Sequence, residues 1–159
     1  MSSMTADRFS LDASILFYAV DRSAGEKHRI AAQIVTKALD GDCILSLQAV
    51  SEFFVAVTRK EKMPLGDAAQ ALRDWISIFP VVSPTAANLD AALALVTSGR
   101  AALAEATQIA CLEANECHLL LSEDFDGKAR LGQVAIVNPF ARALPKPLTF
   151  LLAEAGDDD

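Results

Sequence analysis

Apolar and polar positions follow two different rhythms along this chain. The stretch from Phe9 to Ala13 is short, apolar and β-compatible, and it passes straight into ILFYAVD, which predicts a strand turning at once into a helix. Between residues 24 and 39, Ile30, Ile34, Val35, Ala38 and Leu39 share one helical stripe, closed by the turn residues Gly41 and Asp42. CILSL, starting at Cys43, is a buried strand candidate. From Gln48 to Lys60, Val50, Phe53, Phe54 and Val57 recur with helical spacing, and Arg59 and Lys60 fall in the last turn, where the helix dipole favours cations. A helix from Pro64 to about Ile78, a short strand at 81–83, a helix from Ala86 to Ser98 stopped by Gly99, and a helix from about Ala102 to Ala114 come next. HLLLS at 118–122, an EDFDG turn and VAIVN at 134–138 add two more strands.

Strands that alternate with helices predict an α/β fold on a parallel sheet with crossovers, and ligands of such sheets collect at the carboxyl ends of the strands. Neither an internal repeat nor a Pro/Gly/Ser-rich linker interrupts the pattern, so a single domain is expected over 1–159, with its core at about 9–141 and an acidic tail at 156–159.

Composition adds limits. With 52% hydrophobic residues in 159, the chain can bury a substantial core. Lys+Arg 14 against Asp+Glu 21 leaves −7, which argues against a general duplex-DNA binder that neutralises phosphates with a basic face. Asp157, Asp158 and Asp159 carry three of those charges. An acidic protein can still act on nucleic acid where metal ions neutralise the phosphates. Cys43, Cys111 and Cys117 form no C-x-x-C pair and are expected as buried free thiols in a reducing compartment. MSSMTADRFS has no apolar signal core, and no apolar run approaches the roughly 18 residues of a membrane span, so a cytoplasmic location is expected.

The carboxylates fall in a pattern. Asp12 and Asp124 each end a predicted strand, which a parallel sheet would bring to one edge, and Glu52 shortly follows the strand CILSL. Taken singly, Asp12 suits a helix N-cap, Asp124 and Asp126 suit a turn before Gly127, and Glu52, off the apolar stripe of its helix, suits a solvated face. Glu105 heads a row with Ile109 and Leu112 on a helix expected to be buried nearly all round, including Leu103 and Ala114, so it is either a helix-start acid favoured by the dipole or part of a site. Ser14 and Ser122 each stand two residues from an acid and could orient carboxylates or cap helices. Four acids at one edge repel one another unless cations neutralise them, and oxygen-only ligands favour Mg²⁺ or Mn²⁺ over zinc. Phosphodiester hydrolysis is the matching reaction. His28, beside Lys27 and Arg29, and His118, at a strand start, are expected to be structural.

SLDASILFYAVD, CILSLQAVSEFFVAVTRK, LLLSEDFDG and VAIVNPF, in this order over residues 9–141, closely resemble a PIN domain, in particular the VapC-like toxin ribonucleases of bacterial toxin–antitoxin pairs. The resemblance implies a three-layer α/β/α sandwich on a central parallel sheet and a Mg²⁺ or Mn²⁺ site of three or four acids. It also implies endonucleolytic RNA cleavage, a homodimer, and inhibition by a small antitoxin. It places catalytic, metal-binding roles on Asp12, Glu52, Glu105 and Asp124, with Ser122 beside the last of them; Ser14 and Asp126 are expected in support from their positions next to these acids. The third acid departs from the family pattern, which has an Asp at the start of that helix: here ALAEATQIACLEA supplies Glu105, 19 residues before Asp124.

Metal-assisted hydrolysis is therefore expected, with Asp12 and Asp124 as principal ligands and Glu52 and Glu105 binding a second ion or orienting the attacking water. Two rivals stand beside it. One is a catalytically weakened PIN-fold interaction module that binds an antitoxin or scaffold partner. The other is a phospho-accepting receiver domain, which wants a Lys after a late strand where VAIVNPF has none.

Overall fold

A computed structural model describes residues 8–141. The apolar segment 147–155, a candidate partner surface by its sequence PLTFLLAEA, and the acidic tail lie outside these residues. The element order is β1 (Phe9–Leu11), α1 (Ala13–Val20), a 3-10 turn (Arg22–Ala24), α2 (Glu26–Ala38), β2 (Cys43–Ser46), α3 (Leu47–Arg59), α4 (Leu65–Ile78) and β3 (Val81–Val82). It continues through α5 (Ala86–Thr97), α6 (Leu103–Ala114), β4 (Leu119–Leu121), β5 (Arg130–Leu131) and β6 (Val134–Val137). The sheet order is β3-β2-β1-β4-β6-β5, parallel except for the hairpin pair β5 and β6.

The period-two alternation of the strands divides the core into two layers. Phe9, Leu11, Cys43, Leu45, Leu121 and Val137 point to the face covered by α1 to α4, where Phe53 is fully enclosed and meets Trp75 edge-on at 5.9 Å. Ile44, Leu120 and Ile136 point to the opposite face, against Ile109 and Leu112 of α6. The result is the three-layer α/β/α sandwich. All three cysteines are buried and free, and burial pushes the Cys43 thiol up to about 12, so it behaves as a small apolar side chain. Among the described residues, no helix is long and apolar enough to cross a membrane.

Two expectations need correction. The helix expected over 24–39 begins at Glu26, because Asp21 caps a separate 3-10 turn, accepting from the Ser23 amide at 3.1 Å. The helix α6 is not buried nearly all round: Leu103 is 47% exposed, and Ala104 and Ala114 are also exposed. Its first turn overhangs the carboxyl edge of the sheet, and only the face from Ala106 to Leu112 meets the strands and α5.

The strand β5 escaped the sequence pattern because two residues are too few to show a period. Its hairpin turns at Gly132, whose φ of +58° favours glycine, and the adjacent Gln133 amide donates to Glu113 Oε1 at 2.9 Å. A Cβ at position 132 would collide with that same carboxylate. Gly132→Ala should therefore cost about 1 to 2 kcal/mol, read as a lower Tm in thermal unfolding, and an unchanged Tm would show that the turn relaxes freely.

Candidate functional site

The sheet reverses its winding between β1 and β4, the switch point at which the ends of two parallel strands diverge. Asp12 follows β1 there, and its backbone amide donates to the Leu121 carbonyl of β4 at 2.9 Å. Although Asp12 occupies the N-cap position of α1, its side chain makes no capping bond. Its Oδ2 instead accepts from the Ser122 hydroxyl at 2.7 Å, and its Oδ1 accepts from Gln108 Nε2 at 3.2 Å. At 3% exposure, this carboxylate is buried and held from two sides.

Each support is itself anchored. Ser122 Oγ accepts from the Asp124 amide at 3.0 Å, which fixes the turn carrying Asp124 to the carboxylate that Ser122 holds. Gln108 Nε2 also reaches Ser46 Oγ at 3.3 Å, and Ser46 caps α3 by accepting from the Ala49 amide at 3.1 Å. One buried network thus joins the ends of β1, β2 and β4 to α6. Ser14 plays a different part from orienting Asp12: its Oγ accepts from the Glu123 amide at 3.3 Å and holds the backbone beside Asp124.

Glu52 stands on the second turn of α3, with Oε1 accepting from Gln48 Nε2 at 3.0 Å. Glu52 and Asp124 line a cleft of about 210 Å³, together with Ser14, Glu123 and Lys60. Partial burial raises the Glu52 carboxyl above its ordinary pKa; Gln48 opposes this, and the charges of Asp12, Asp124 and Glu105 add to it. Asp124 is raised in the same way, first by burial, then by Asp12, Glu123 and Glu105, against a lowering contribution from Lys60. The four acids singled out in the sequence are thus brought within electrostatic range of one another. Glu105 lies in the first turn of α6, its Oε2 is buried without a hydrogen-bond partner, and the nearest cation is Lys128 Nζ at 4.0 Å. Asp126 is not part of this group. It is exposed in a left-handed turn with φ +52° and makes no hydrogen bond or ion pair with the other acids among the described residues.

Both upward shifts mean that the folded protein holds protons at Glu52 and Asp124 more tightly than the unfolded chain does. Their contribution to stability is therefore greatest at acid pH, and it is lost as pH rises from the unfolded carboxylate range through the raised folded pKa values. Without divalent metal, Glu52→Gln should melt above the wild type at neutral pH, with the gain vanishing at pH values where the unfolded carboxylate is already protonated. Equal melting at both pH values would show that neither burial nor the neighbouring acids disfavour the Glu52 charge.

The residues that sequence pattern missed are Gln108, Ser46, Glu123 and Lys60. Gln108 left one signal, an amide three residues after Glu105 and immediately before the apolar run Ile109 to Leu112. Glu123 accepts from the Tyr18 hydroxyl and, at 2.8 Å, from Lys27, contacts between elements that no local pattern announces. His28 has a structural partner, its Nδ1 lying 2.9 Å from the Tyr18 carbonyl, and His118 is exposed at the start of β4.

The donors available to a cation at this edge are all carboxylate and hydroxyl oxygens, which suit hard divalent ions. Among the described residues, no three His, Cys, Asp or Glu side chains are drawn together into a ready cage. Asp12 is fixed, so closing a cage requires rotamer changes at Glu52, Glu105 and Asp124. The orphaned Glu105 oxygen and the mutual repulsion of the acids both favour such a closure around positive charge.

An open, mostly parallel α/β sheet with a clamped carboxylate at its switch point, ringed by further acids, defines a doubly wound α/β protein with an acidic edge site. The chain belongs to the PIN domain family, whose match covers residues 10–132. Solved structures share the fold. VapC20 of Mycobacterium tuberculosis, a toxin that cleaves the sarcin–ricin loop, superposes with a TM-score of 0.59 at 14% identity, covering 74% of this chain and 91% of its own. A toxin–antitoxin complex from Klebsiella pneumoniae gives 0.58 at 20% identity, over 82% of this chain and 97% of that one. VapBC2 of Rickettsia felis, bound to a DNA fragment of its promoter, gives 0.59 at 13% identity, over 81% and 96%. No curated protein sequence matches the chain.

Proposed function

We propose that this protein is a divalent-metal-dependent endoribonuclease, the toxin of a type II toxin–antitoxin pair, hydrolysing RNA phosphodiesters. The observation that carries the reading is the clamped Asp12 at the switch point, electrostatically coupled to Glu52 and Asp124, in a PIN domain fold shared with VapC toxins. Asp12 and Asp124 are the principal ligands, and Glu52 and Glu105 hold a second ion or orient the attacking water. Bound Mg²⁺ or Mn²⁺ supplies Lewis-acid stabilisation of the phosphate and a more acidic water. Ser122 and Gln108 hold Asp12 still, which spares the site the cost of ordering it during the reaction.

The partners that follow are an RNA substrate, a second copy of the chain and a small antitoxin. Exposed apolar side chains Leu89 and Leu93, four residues apart on α5, support a protein-binding face. Purified protein incubated with total RNA should cleave it with Mg²⁺ or Mn²⁺ and stop in EDTA. Absence of cleavage with either ion refutes the reading.

A second reading rests on Glu105, which replaces the family Asp and faces Lys128: a weakened PIN-fold module retained to bind an antitoxin or scaffold. Thermal unfolding with added Mn²⁺ separates the two, since a ligand bound only by the folded state raises Tm. A shift with cleavage supports the enzyme, and no shift with no cleavage supports the module.

A further inference from the structure

The cleft beside the acids is polarised along its length. On one wall Glu52, Ala56 and Lys60 stand four residues apart, and on the other Ser14 and Phe17 of α1 face them. Eight residues of helical rise separate Glu52 from Lys60 by about 12 Å along α3. Glu52 therefore starts one end of the α3 wall and Lys60 the other. Lys60 Nζ sits 4.5 Å from the centroid of the Phe17 ring, which seats the cation without neutralising it. Its charge is close enough to Asp124 to favour that carboxylate's ionised form.

Other lysines near the site are already spent on carboxylates. Lys27 pairs with Glu123 at 2.8 Å, Lys62 with Asp21 at 3.4 Å, and Lys128 faces Glu105 at 4.0 Å. Lys60 makes no ion pair among the described residues. Lys62 also donates to Ser23 at 2.9 Å, pinning the turn after Lys60 against the 3-10 turn. In a chain of net charge −7, this is where a polyanion finds attraction beside the acids that repel it.

Resting on the ribonuclease reading, we propose that Lys60 is a phosphate-binding residue: its ammonium, seated over Phe17 at the cationic end of the groove, takes a backbone phosphate of the RNA strand being cut at the acids. The contact positions the strand along the groove and carries no base preference.

Lys60→Met keeps the apolar stem over Phe17 and removes the charge. In an Asp12→Asn background, which prevents cleavage, fluorescence anisotropy of a labelled single-stranded RNA across a salt series should show several-fold weaker binding for Lys60→Met. The slope of log K against log salt should fall by about 0.7, the value for one phosphate contact on a single strand. Lys60→Arg should restore both. In the cleaving protein, Lys60→Met should raise KM several-fold with kcat little changed, while Mn²⁺ affinity stays equal or tightens because a repelling cation is gone. A residue needed only for folding would lower Tm and weaken the metal too. An unchanged slope and KM in a protein that cleaves RNA overturns the proposal and leaves the ribonuclease reading standing. A Lys60-dependent slope in a wild type that cleaves nothing overturns the ribonuclease reading and keeps the anion site. No RNA binding at all overturns both.

Discussion

Asp12→Asn should abolish metal-dependent RNA cleavage while the protein remains folded. Asn is nearly the shape of Asp, so the packing around β1 and α1 survives the exchange. What changes is charge and hydrogen-bond polarity. Ser122 and Gln108 both donate to the carboxylate, and an amide can accept at only one of the two positions. The mismatch should cost on the order of 1 to 3 kcal/mol, seen as a lower Tm with an unchanged circular dichroism spectrum. Loss of cleavage should exceed the roughly 10- to 100-fold typical of removing a partner behind a metal ligand, because here the ligand itself is neutralised. A folded Asp12→Asn protein that still cleaves RNA with Mn²⁺ would remove Asp12 from the mechanism.

Glu105 should show the second large effect. Its Oε2 is buried with no hydrogen-bond partner, and Lys128 is the only cation paired with it among the described residues. A neutral amide cannot offset a cation's charge, so Glu105→Gln should weaken Mn²⁺ binding in isothermal titration and slow cleavage. Glu105→Asp withdraws the carboxylate by about 1 Å, a displacement that can change rate on the order of 100-fold in a positioned site. Its direction is informative: faster cleavage means the longer side chain handicaps this protein, and slower cleavage means the neighbours have adjusted to Glu. Equal Mn²⁺ affinity and equal activity in wild type and Glu105→Gln would reduce the site to Asp12, Glu52 and Asp124.

Asp12 and Glu105 mark the two ends of what the chain discloses locally. For Asp12 the sequence suggested both a helix cap and a site residue; the position is indeed the N-cap, yet the side chain turns away to Ser122 and Gln108. For Glu105 the first-turn placement followed from the pattern, but its stripe suggested burial for Leu103 that the overhanging turn does not provide.

The alternation of apolar strands with amphipathic helices by itself determined the α/β class, the parallel sheet and the edge expected for Asp12, Glu52 and Asp124, whereas Glu105 was assigned to it by the family resemblance. Those features depend on local periodicity and on the rule that crossovers place strand ends on one side. The tertiary structure alone decided that Asp12 is clamped by a serine 110 residues away and a glutamine 96 residues away. It also decided that Asp126 stands apart in its turn, that β5 pairs with β6, and that Lys60 makes no ion pair among the described residues while Lys27 and Lys62 do. Partner choice among polar side chains carries no periodic trace in sequence, because it is set by which elements the closed sheet brings within hydrogen-bond reach. Periodicity reports which face of an element is buried; only the packed fold decides what each polar group on that face meets.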